Sequence, residues 1–386
     1  MVAVSNTNCV KQAEDILAES VGRRFAVLTG RGTAALMIAC RLVPDDRPRV
    51  IIPVMVCANV MYAVLYAGKI PVFADVSPHD ATIDPNHVAA LLAADPGIGA
   101  VIAAHLYGHR ADIDALSIST RRHGAYLIED AAQAQGGRHP DGRIFGAAGD
   151  MSVISFGHTK ILDVGGGGVL LLDDSDLAER ARLEATRLPH APNDTPQTEA
   201  QYSRLFYAAW EAYQTDRRFA NLFYPLPDQF RPLFVHAATD LQAQSISAAL
   251  PDLADELAHR QALYKVYRRA FRSIPGVTTF DVDDTAIAPW RFTFRVPGAI
   301  RNRLLHAIRK AGHPASAWYP CLSDWTASPT RIDASTITVA RTLEQEIVNL
   351  WLTRNYGQKS VENLAAMITR EMSCDEGQSH SNHEET

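Results

Sequence analysis

The chain has 386 residues, of which 47% are hydrophobic and 21% charged, a composition typical of a globular protein with a sizeable buried core. Its net charge of −6 gives no reason to expect nucleic acid or an anionic membrane as a partner. The five cysteines are scattered without a CxxC pair, which favours reduced thiols in the cytoplasm over a disulfide framework or a zinc site.

Short apolar runs alternate with stretches of helical spacing along the first half of the chain. After an N-terminal helix at 10–19, the pattern predicts strands at 25–29, 50–53, 70–74, 100–104, 126–128 and 151–156, and helices at 34–42, 57–67, 85–94 and 113–123. Pro53 and Asn59 interrupt the apolar stretch 50–68, so a strand and a packed helix explain it better than a membrane span. Strands separated by helices of this length predict a mostly parallel sheet with helices on both faces.

The second half of the chain is less regular. Residues 188–232 are predicted to form an irregular, aromatic-rich insertion, whose aromatic side chains at helical spacing favour a core or subunit contact over substrate binding. The pattern predicts helices at 177–186, 240–270 (broken near Pro251), 301–311 and 361–370, and a strand-like stretch at 280–296. We therefore expect a large domain at 14–250, a small C-terminal α/β domain at 251–371 and a disordered tail at 372–386.

One lysine, Lys160, directly follows a predicted buried strand. The stretch 155–168 begins with Ser155, and it ends in four glycines. Burial of a lysine is costly unless its amine has a function, and a Schiff base is the simplest one, because burial lowers the amine pKa and makes it nucleophilic. The stretch could therefore hold a phosphorylated aldehyde such as pyridoxal phosphate (PLP). A solvated lysine in an ordinary glycine turn explains the same residues equally well.

Two other strand ends carry groups that suit the same ligand. In the turn 30–33, free N–H groups and the Thr33 hydroxyl suit a phosphate, although a helix N-cap is the simpler explanation of this turn alone. Asp130 ends another strand, and Gln133 follows one helical turn later. A buried aspartate opposite a pyridine nitrogen would keep that nitrogen protonated; the alternative is a helix cap. Ligands of parallel sheets bind at the carboxyl ends of strands, so Thr33, Asp130 and Ser155 are expected to converge.

No metal site is expected from the histidine pattern. His105 and His109 are four residues apart, but Gly108 lies between them at a strand end, where a helical pair of ligands does not form. No carboxylate joins them at a recognisable spacing.

Five motifs follow one another along the chain. They are Gly32-Thr33-Ala34-Ala35-Leu36, Ala67-Gly68 with Pro71-Val72-Phe73-Ala74-Asp75, His105-Leu106-Tyr107-Gly108, Glu129-Asp130-Ala131-Ala132-Gln133-Ala134, and Ser155-Phe156 with Lys160 and Gly167-Gly168. In this order they resemble the DegT-like sugar aminotransferases, a family of fold type I PLP-dependent enzymes. The similarity covers 14–370, is dense up to Asp173 and is weak after Arg187. It implies a large, mostly parallel-sheet α/β domain with helices on both faces and a smaller C-terminal α/β domain.

The resemblance also implies roles for individual residues. Lys160 would hold PLP as a Schiff base and later shuttle a proton, Asp130 would pair with the pyridinium nitrogen, and Gln133 would approach the ring hydroxyl. Cys57 takes the position of the aromatic residue that normally stacks on the ring. The active sites would be shared between the subunits of a homodimer. The predicted phosphate contacts are Gly32, Thr33 and Ser155, and the candidate substrate contacts are His105, Tyr107, His158, His236 and Tyr319.

The chain departs from the family pattern on the acceptor side. Arg31 replaces a serine, Gly166 replaces a glutamate, and 234–237 replace a segment that usually carries Asn and Arg for the neighbouring subunit's site. We therefore expect an aminotransferase that moves an amino group from an amino acid, usually glutamate, to a keto group of a sugar or related small metabolite other than a standard nucleotide-linked hexose.

Two other functions remain open at this point. One is a PLP enzyme of another reaction type: a dehydratase, a decarboxylase or a C–C bond-forming enzyme. The dehydratases of the family replace the lysine, so the retained Lys160 favours transamination. The other is a non-catalytic PLP-binding protein, which would not require Lys160, Asp130 and Gln133 together.

Overall fold

The computed structural model describes residues 7–283, 286–325 and 336–381, and seven strands form its larger sheet. The strand order is β1-β7-β6-β5-β4-β2-β3. β7 pairs antiparallel with β1 and β6, whereas the other pairs are parallel, so the predicted mostly parallel sheet is confirmed. The strands are β1 (Phe25–Thr29), β2 (Arg49–Pro53), β3 (Ile70–Ala74), β4 (Ile98–Ala104), β5 (Tyr126–Asp130), β6 (Met151–Ser155) and β7 (Gly168–Leu172).

Helices cover both faces of this sheet. On β2, Val50 and Ile52 belong to one apolar core, whereas Ile51 belongs to another, because successive side chains of a strand point to opposite faces. The strands therefore have almost continuous apolar sequences, which explains why the sequence predicts them well. The helices of this region are α1 (Thr7–Val21), α2 (Gly32–Arg41), α3 (Ala58–Tyr66), α4 (Pro85–Ala94), α5 (Ile113–His123) and α6 (Ser175–Thr186).

The insertion predicted at 188–232 is mostly helical, so the expectation of irregular structure is wrong. It contains α7 (Thr195–Thr215), a 3-10 helix (Arg217–Phe223) and α8 (Leu226–Phe234). Four aromatic side chains of α7 fall on one face and pack into the protein's own core, which stabilises the helix. The ring centroids are 5.0 Å apart for Tyr202–Phe234, 5.6 Å for Phe206–Phe223, 4.8 Å for Trp210–Trp318 and 5.9 Å for Tyr213–Trp325.

A second, antiparallel sheet has the order β10-β11-β9-β8 and lies within the predicted small domain. The strand-like stretch expected at 280–296 shrinks to β9, because the backbone before it bonds elsewhere: Asp281 N–H donates to His79 and Trp290 N–H to Tyr107. The elements are α9 (Asp240–Ala249), α10 (Leu253–Phe271), β8 (Thr278–Thr279), β9 (Arg291–Arg295), α11 (Gly298–Lys310), β10 (Ala315–Ser316), α12 (Val339–Glu346), β11 (Ile347–Trp351) and α13 (Gln358–Ser381).

Two further expectations concern the C-terminal tail and the apolar stretch 50–68. α13 continues to Ser381 because no proline interrupts its backbone hydrogen bonds, so 372–381 of the predicted disordered tail are helical and 382–386 lie outside the described residues. The stretch 50–68 forms β2 and α3, as predicted. In the described ranges, no helix combines the length and apolar character that a membrane span requires.

Candidate active site

The carboxyl ends of β5 and β6 and the N-terminus of α2 border a cavity of about 240 Å³. The sequence predicts this convergence, and the structure brings the predicted residues together around one space. Their roles in cofactor binding stay predictions. The predicted residues that line the cavity are Gly32, Thr33, Cys57, Asp130, Gln133, Ser155 and Lys160.

The glycines at one end of the cavity permit a very close approach of β7 and β6 to α2. A Cβ atom on Gly32 would lie 2.8 Å from the Cβ of Ser155, and one on Gly168 would lie 2.3 Å from the Gly32 nitrogen. Thr33 does not cap the helix, since the N-cap is Arg31 and its side chain makes no cap hydrogen bond. The simpler explanation of Thr33 as an N-cap is therefore wrong, and the N-terminus of α2 lies against Ser155.

Arg31 adds a positive charge to this end of the cavity. Its Nε is buried and has no hydrogen-bond partner among the described residues. Nη1 lies 3.4 Å from the Gly165 carbonyl and Nη2 lies 3.5 Å from Glu199, both at the limit of hydrogen bonding. A Cβ atom on Gly157 would lie 3.7 Å from Ser155 Oγ and 3.9 Å from Arg31 Nη1. Arg31 and Ser155 therefore line the same cavity, a position that the sequence did not predict for Arg31.

Asp130 and Gln133 are held by local hydrogen bonds. Asp130 Oδ1 accepts from the Ala132 N–H at 2.9 Å, and no α-helix begins after it, so the alternative of a helix cap is wrong. Burial raises the pKa of the Asp130 carboxyl, an effect opposed by that N–H and by the charge of Lys160. Gln133 accepts from the Tyr107 N–H at 2.9 Å and donates to the Tyr319 hydroxyl at 2.9 Å. Its amide therefore has a fixed orientation beside the carboxylate.

A second cavity, of about 330 Å³, adjoins the first, and both are lined by Cys57, His158 and Tyr202. Burial raises the pKa of the Cys57 thiol, so at neutral pH it is a small uncharged side chain. The sequence does not predict this aromatic chamber, because its walls come from distant segments. The walls include Phe206, Tyr207, Trp290, Trp318, Tyr319 and Trp351.

Besides His105, two of the five candidate substrate residues line these cavities. The ring nitrogens of His158 lie 3.7 Å from Asp163 and 3.6 Å from Glu199, too far for hydrogen bonds, and its side chain is exposed. Tyr319 lines the aromatic chamber. Both side chains are placed where a ligand could contact them.

The other three candidates are engaged within the protein. His105 borders the first cavity, but its ring nitrogens bond Glu129 at 2.9 Å and the Ala111 N–H at 3.0 Å. Tyr107 is buried, and its hydroxyl bonds the backbone of the 318–319 segment. His236 packs against Gly30, where an added Cβ atom would lie 2.0 Å from its Nδ1. The geometry within one subunit does not favour substrate contact by these three side chains.

Gly166 and the segment 234–237 are positions at which the sequence departs from the pattern of the family that it resembles. A Cβ atom on Gly166 would lie 2.5 Å from Gln242 Nε2, which donates to the Gly30 carbonyl at 3.2 Å. The amide therefore occupies the space that a larger residue at 166 would need. Burial lowers the pKa of His236, so it contributes no permanent positive charge.

Behind Asp130, the buried carboxylate of Glu129 binds two histidines. Oε1 accepts from Nε2 of His105 at 2.9 Å and of His139 at 2.8 Å, and from the Gly146 N–H at 2.8 Å. Burial alone raises the Glu129 pKa, but the hydrogen bonds from the histidines hold it well below its ordinary value. These three side chains could group around a metal ion, but Oε1 already has three donors. The absence of a metal site stays a prediction.

The residues around the first cavity fit PLP. A helix N-terminus, two hydroxyls and the Arg31 Nε, which has no partner among the described residues, suit a phosphate. At the other end, the Asp130 carboxylate suits a protonated ring nitrogen, and Lys160 suits an aldehyde.

Comparison with known proteins agrees with the family resemblance that the sequence motifs indicate. A model of the DegT/DnrJ/EryC1/StrS aminotransferase family matches residues 3–369. Spore coat polysaccharide biosynthesis protein SpsC of Bacillus subtilis is 29% identical over 308 residues, covering 78% of this chain and 72% of that protein. L-glutamine:2-deoxy-scyllo-inosose aminotransferase of Streptoalloteichus tenebrarius is 37% identical over 177 residues, covering 42% of this chain and 41% of that protein.

Among solved structures, 3-amino-5-hydroxybenzoic acid synthase superposes with a TM-score of 0.76 at 21% identity, covering 95% of this chain and 91% of that one. At this identity the likeness shows the fold. Matches to several other curated relatives span less than half of those proteins' length.

Proposed function

The chain belongs to the DegT/DnrJ/EryC1/StrS aminotransferase family, and from this premise we propose that it transfers an amino group from an amino acid to a keto group of a sugar or related small metabolite. Family membership confirms the predicted PLP-dependent aminotransferase. The observation that carries the proposal is the single cavity lined by Lys160, Asp130, Gln133 and the glycine-bounded phosphate site.

Asp130, Lys160 and Gln133 each have a distinct part in the proposed reaction. When bound, PLP supplies an electron sink for negative charge that develops on the substrate carbon. The Asp130 carboxylate would hold a proton on the ring nitrogen. Lys160 Nζ would hold the cofactor and carry a proton to and from the substrate carbon. Gln133, which hydrogen bonds with Tyr107 and Tyr319 keep in place, would contact the ring.

The phosphate site combines predicted and unpredicted contacts. We propose that the Thr33 and Ser155 hydroxyls and the N-terminus of α2 bind the phosphate, with Arg31 as the positive charge. In support, Arg31 and Ser155 line the same cavity, and within the described part of the chain the guanidinium makes two long contacts, of 3.4 and 3.5 Å. A charge-assisted hydrogen bond from such a group contributes about 1.5–3 kcal/mol.

The donor and acceptor belong to the proposal. Glutamate is the expected donor, and glutamine is a second one to test, because the relative from Streptoalloteichus tenebrarius is named for it. The acceptor is proposed to be a compound other than a nucleotide-linked hexose. The supporting observation is that His236, in the segment that usually brings a cation, is held neutral by burial.

We also propose a cytoplasmic homodimer with shared active sites. The aromatic stripe of α7 packs inside the subunit, so it does not supply the contact. Other apolar side chains of the same region are exposed, which is typical of a surface that another chain covers. They are Leu205, Tyr207, Phe219, Leu222 and Tyr224, with exposures between 40% and 53%. The cytoplasmic location is supported by the described cysteines, which are all free thiols, because disulfides are rare in the reducing cytoplasm.

A half-reaction assay tests the proposed function. The PLP-loaded protein is mixed with glutamate, glutamine and other amino acids, and we expect a loss of the cofactor's absorbance with the formation of the matching keto acid. Borohydride reduction followed by peptide mapping should find the cofactor on Lys160, and Lys160→Ala should show neither result. If no amino acid changes the absorbance, or the adduct maps to another lysine, the proposal fails.

The acceptor is tested from the other direction. The aminated form of the enzyme is titrated with keto-sugar nucleotides, and we expect no rapid return of the original absorbance at micromolar concentrations. A rapid return with any of them would contradict the proposed acceptor class.

A further inference from the structure

Arg291, the first residue of β9, is a buried cation without a counter-ion in the described part of the chain. The residue is 3% exposed, and its guanidinium carbon lies 4.2 Å from the ring centre of Trp290 and 3.9 Å from that of Trp351. The guanidinium has five N–H donors. Nε is buried and has no partner among the described residues, and Nη1 makes one long contact of 3.5 Å to the Trp290 carbonyl.

This isolation is unusual among the nearby arginines. Arg260 binds Glu256 at 2.7 Å, and Arg295, four residues along the same strand, binds Glu346 at 2.7 Å. Burial, opposed by the Tyr319 hydroxyl and reinforced by the charge of Arg260, lowers the pKa of Arg291 to about 9. The two indole rings offset part of the cost of burying the charge, but Nε still has no hydrogen-bond partner among the described residues. A buried cation of this kind suits a ligand that brings a negative charge.

Arg291 is connected to the candidate active site through its neighbours. It lines the aromatic chamber that adjoins the cofactor cavity. Trp290 Nε1 donates to the Thr159 carbonyl at 2.6 Å, directly before Lys160. Tyr319, another wall of the chamber, accepts from Gln133 at 2.9 Å. A ligand held by Arg291 would therefore lie beside the residues that are proposed to react.

We propose that Arg291 binds a carboxylate of the acceptor and that the aromatic walls of the chamber hold the acceptor's ring. The acceptor class is a small cyclic keto compound with one carboxylate; this assignment rests on the proposed function. The planar guanidinium matches a carboxylate with two parallel hydrogen bonds. One uncompensated cation balances a monoanion, whereas a phosphate or diphosphate would leave a buried negative charge. The chamber volume, about 330 Å³, is at the lower end of ligand pockets, which favours a small ring.

Ligand binding to the PLP-loaded enzyme tests this inference without turnover. Benzoate and its neutral isostere benzamide are titrated by calorimetry and by quenching of tryptophan fluorescence at neutral pH. We expect benzoate to bind about ten- to a hundredfold more tightly than benzamide, the range for one charge-assisted contact. Acetate, phenyl phosphate and glutarate, the glutamate analogue without an amino group, are titrated in parallel, and each should bind more weakly than benzoate.

Variants of two arginines on the same strand separate binding from folding. Arg291→Met should reduce benzoate affinity to that of benzamide, and Arg291→Lys should retain part of the preference. The fold should survive Arg291→Met, because methionine keeps much of the buried volume and removes an unpaired charge; circular dichroism checks this. Arg295→Met removes a paired arginine as the matched control, and it should leave benzoate affinity unchanged.

Several results would overturn the inference. Equal affinities for benzoate and benzamide, or a preference that survives Arg291→Met, would show that Arg291 binds no anion. Tighter Arg291-dependent binding of glutarate would assign the site to the amino donor, and tighter binding of phenyl phosphate would assign it to a dianion. The half-reaction on the same preparation distinguishes this inference from the proposed function. Failure of every amino donor in the half-reaction would refute the aminotransferase, whereas loss of the preference for benzoate over benzamide alone would refute the acceptor class.

Discussion

The hydrogen-bonded carboxylate of Glu129 gives a stability prediction that follows directly from the geometry. In Glu129→Gln, the amide NH2 group must replace one carboxylate oxygen. At Oε2 it would face the N–H groups of Ala148 and Gly149, which now donate at 2.9 and 3.3 Å. At Oε1 it would face the Gly146 N–H and two histidines. In either orientation at least two donors lose their acceptor.

The expected loss follows from that count. Each buried donor without a partner costs about 1–3 kcal/mol, so Glu129→Gln should destabilise the fold by about 2–6 kcal/mol. For a chain of this length the unfolding entropy is about 0.8 kcal/mol per kelvin, so Tm should fall by about 3–7 °C. His105 cannot relieve the loss by changing its tautomer, because its other ring nitrogen already accepts the Ala111 N–H.

Differential scanning calorimetry of wild type and variant at pH 7 measures the effect, with the exposed Glu179→Gln as the control. The control should change stability by less than about 0.5 kcal/mol. The folded-state pKa of Glu129 lies below its ordinary value of 4.5, so its contribution is present above about pH 4.5 and is lost as the pH falls through the folded-state pKa. The Tm difference between wild type and Glu129→Gln should therefore narrow in acid. A variant as stable as wild type at pH 7 would refute the reasoning.

Three further predictions concern the cofactor site and the assembly. Asp130→Asn should keep Tm and PLP binding but lower kcat by about a hundredfold or more, because the amide carries no charge to hold the ring proton; near-normal kcat would leave Asp130 without this role. Gly32→Ala should weaken PLP affinity about tenfold in a fluorescence titration, because the new Cβ would lie 2.8 Å from that of Ser155. Gly157→Ala is the control and should change PLP affinity less, because its Cβ would lie 3.7 Å from the nearest neighbouring atom, Ser155 Oγ. Equal effects of the two substitutions would contradict the steric argument. Light scattering should find a dimer at micromolar concentration, and a stable, active monomer would exclude shared active sites.

The sequence by itself determined most of the large sheet and the residues at its strand ends. β1, β3, α4 and α5 begin and end where the apolar pattern predicts, because strands buried on both faces have continuous apolar runs and helices repeat every 3.6 residues. Lys160, Asp130 and Thr33 were found because a parallel sheet brings the ends of distant strands to one edge. β7 was not among the predicted strands, since it begins within the glycine run that looked like a turn.

Only the tertiary structure decided which polar groups are already satisfied and which remain available to a ligand. His105 looked like a substrate contact until Glu129 and Ala111 were found to occupy both ring nitrogens. The position of Arg291 in a predicted strand does not reveal that two indole rings, one of them 60 residues away on another strand, enclose it, or that no counter-ion lies beside it within the described ranges. The physical reason is that periodicity along a chain reports burial and local hydrogen bonds, whereas the partner of a side chain depends on segments that only the fold brings together.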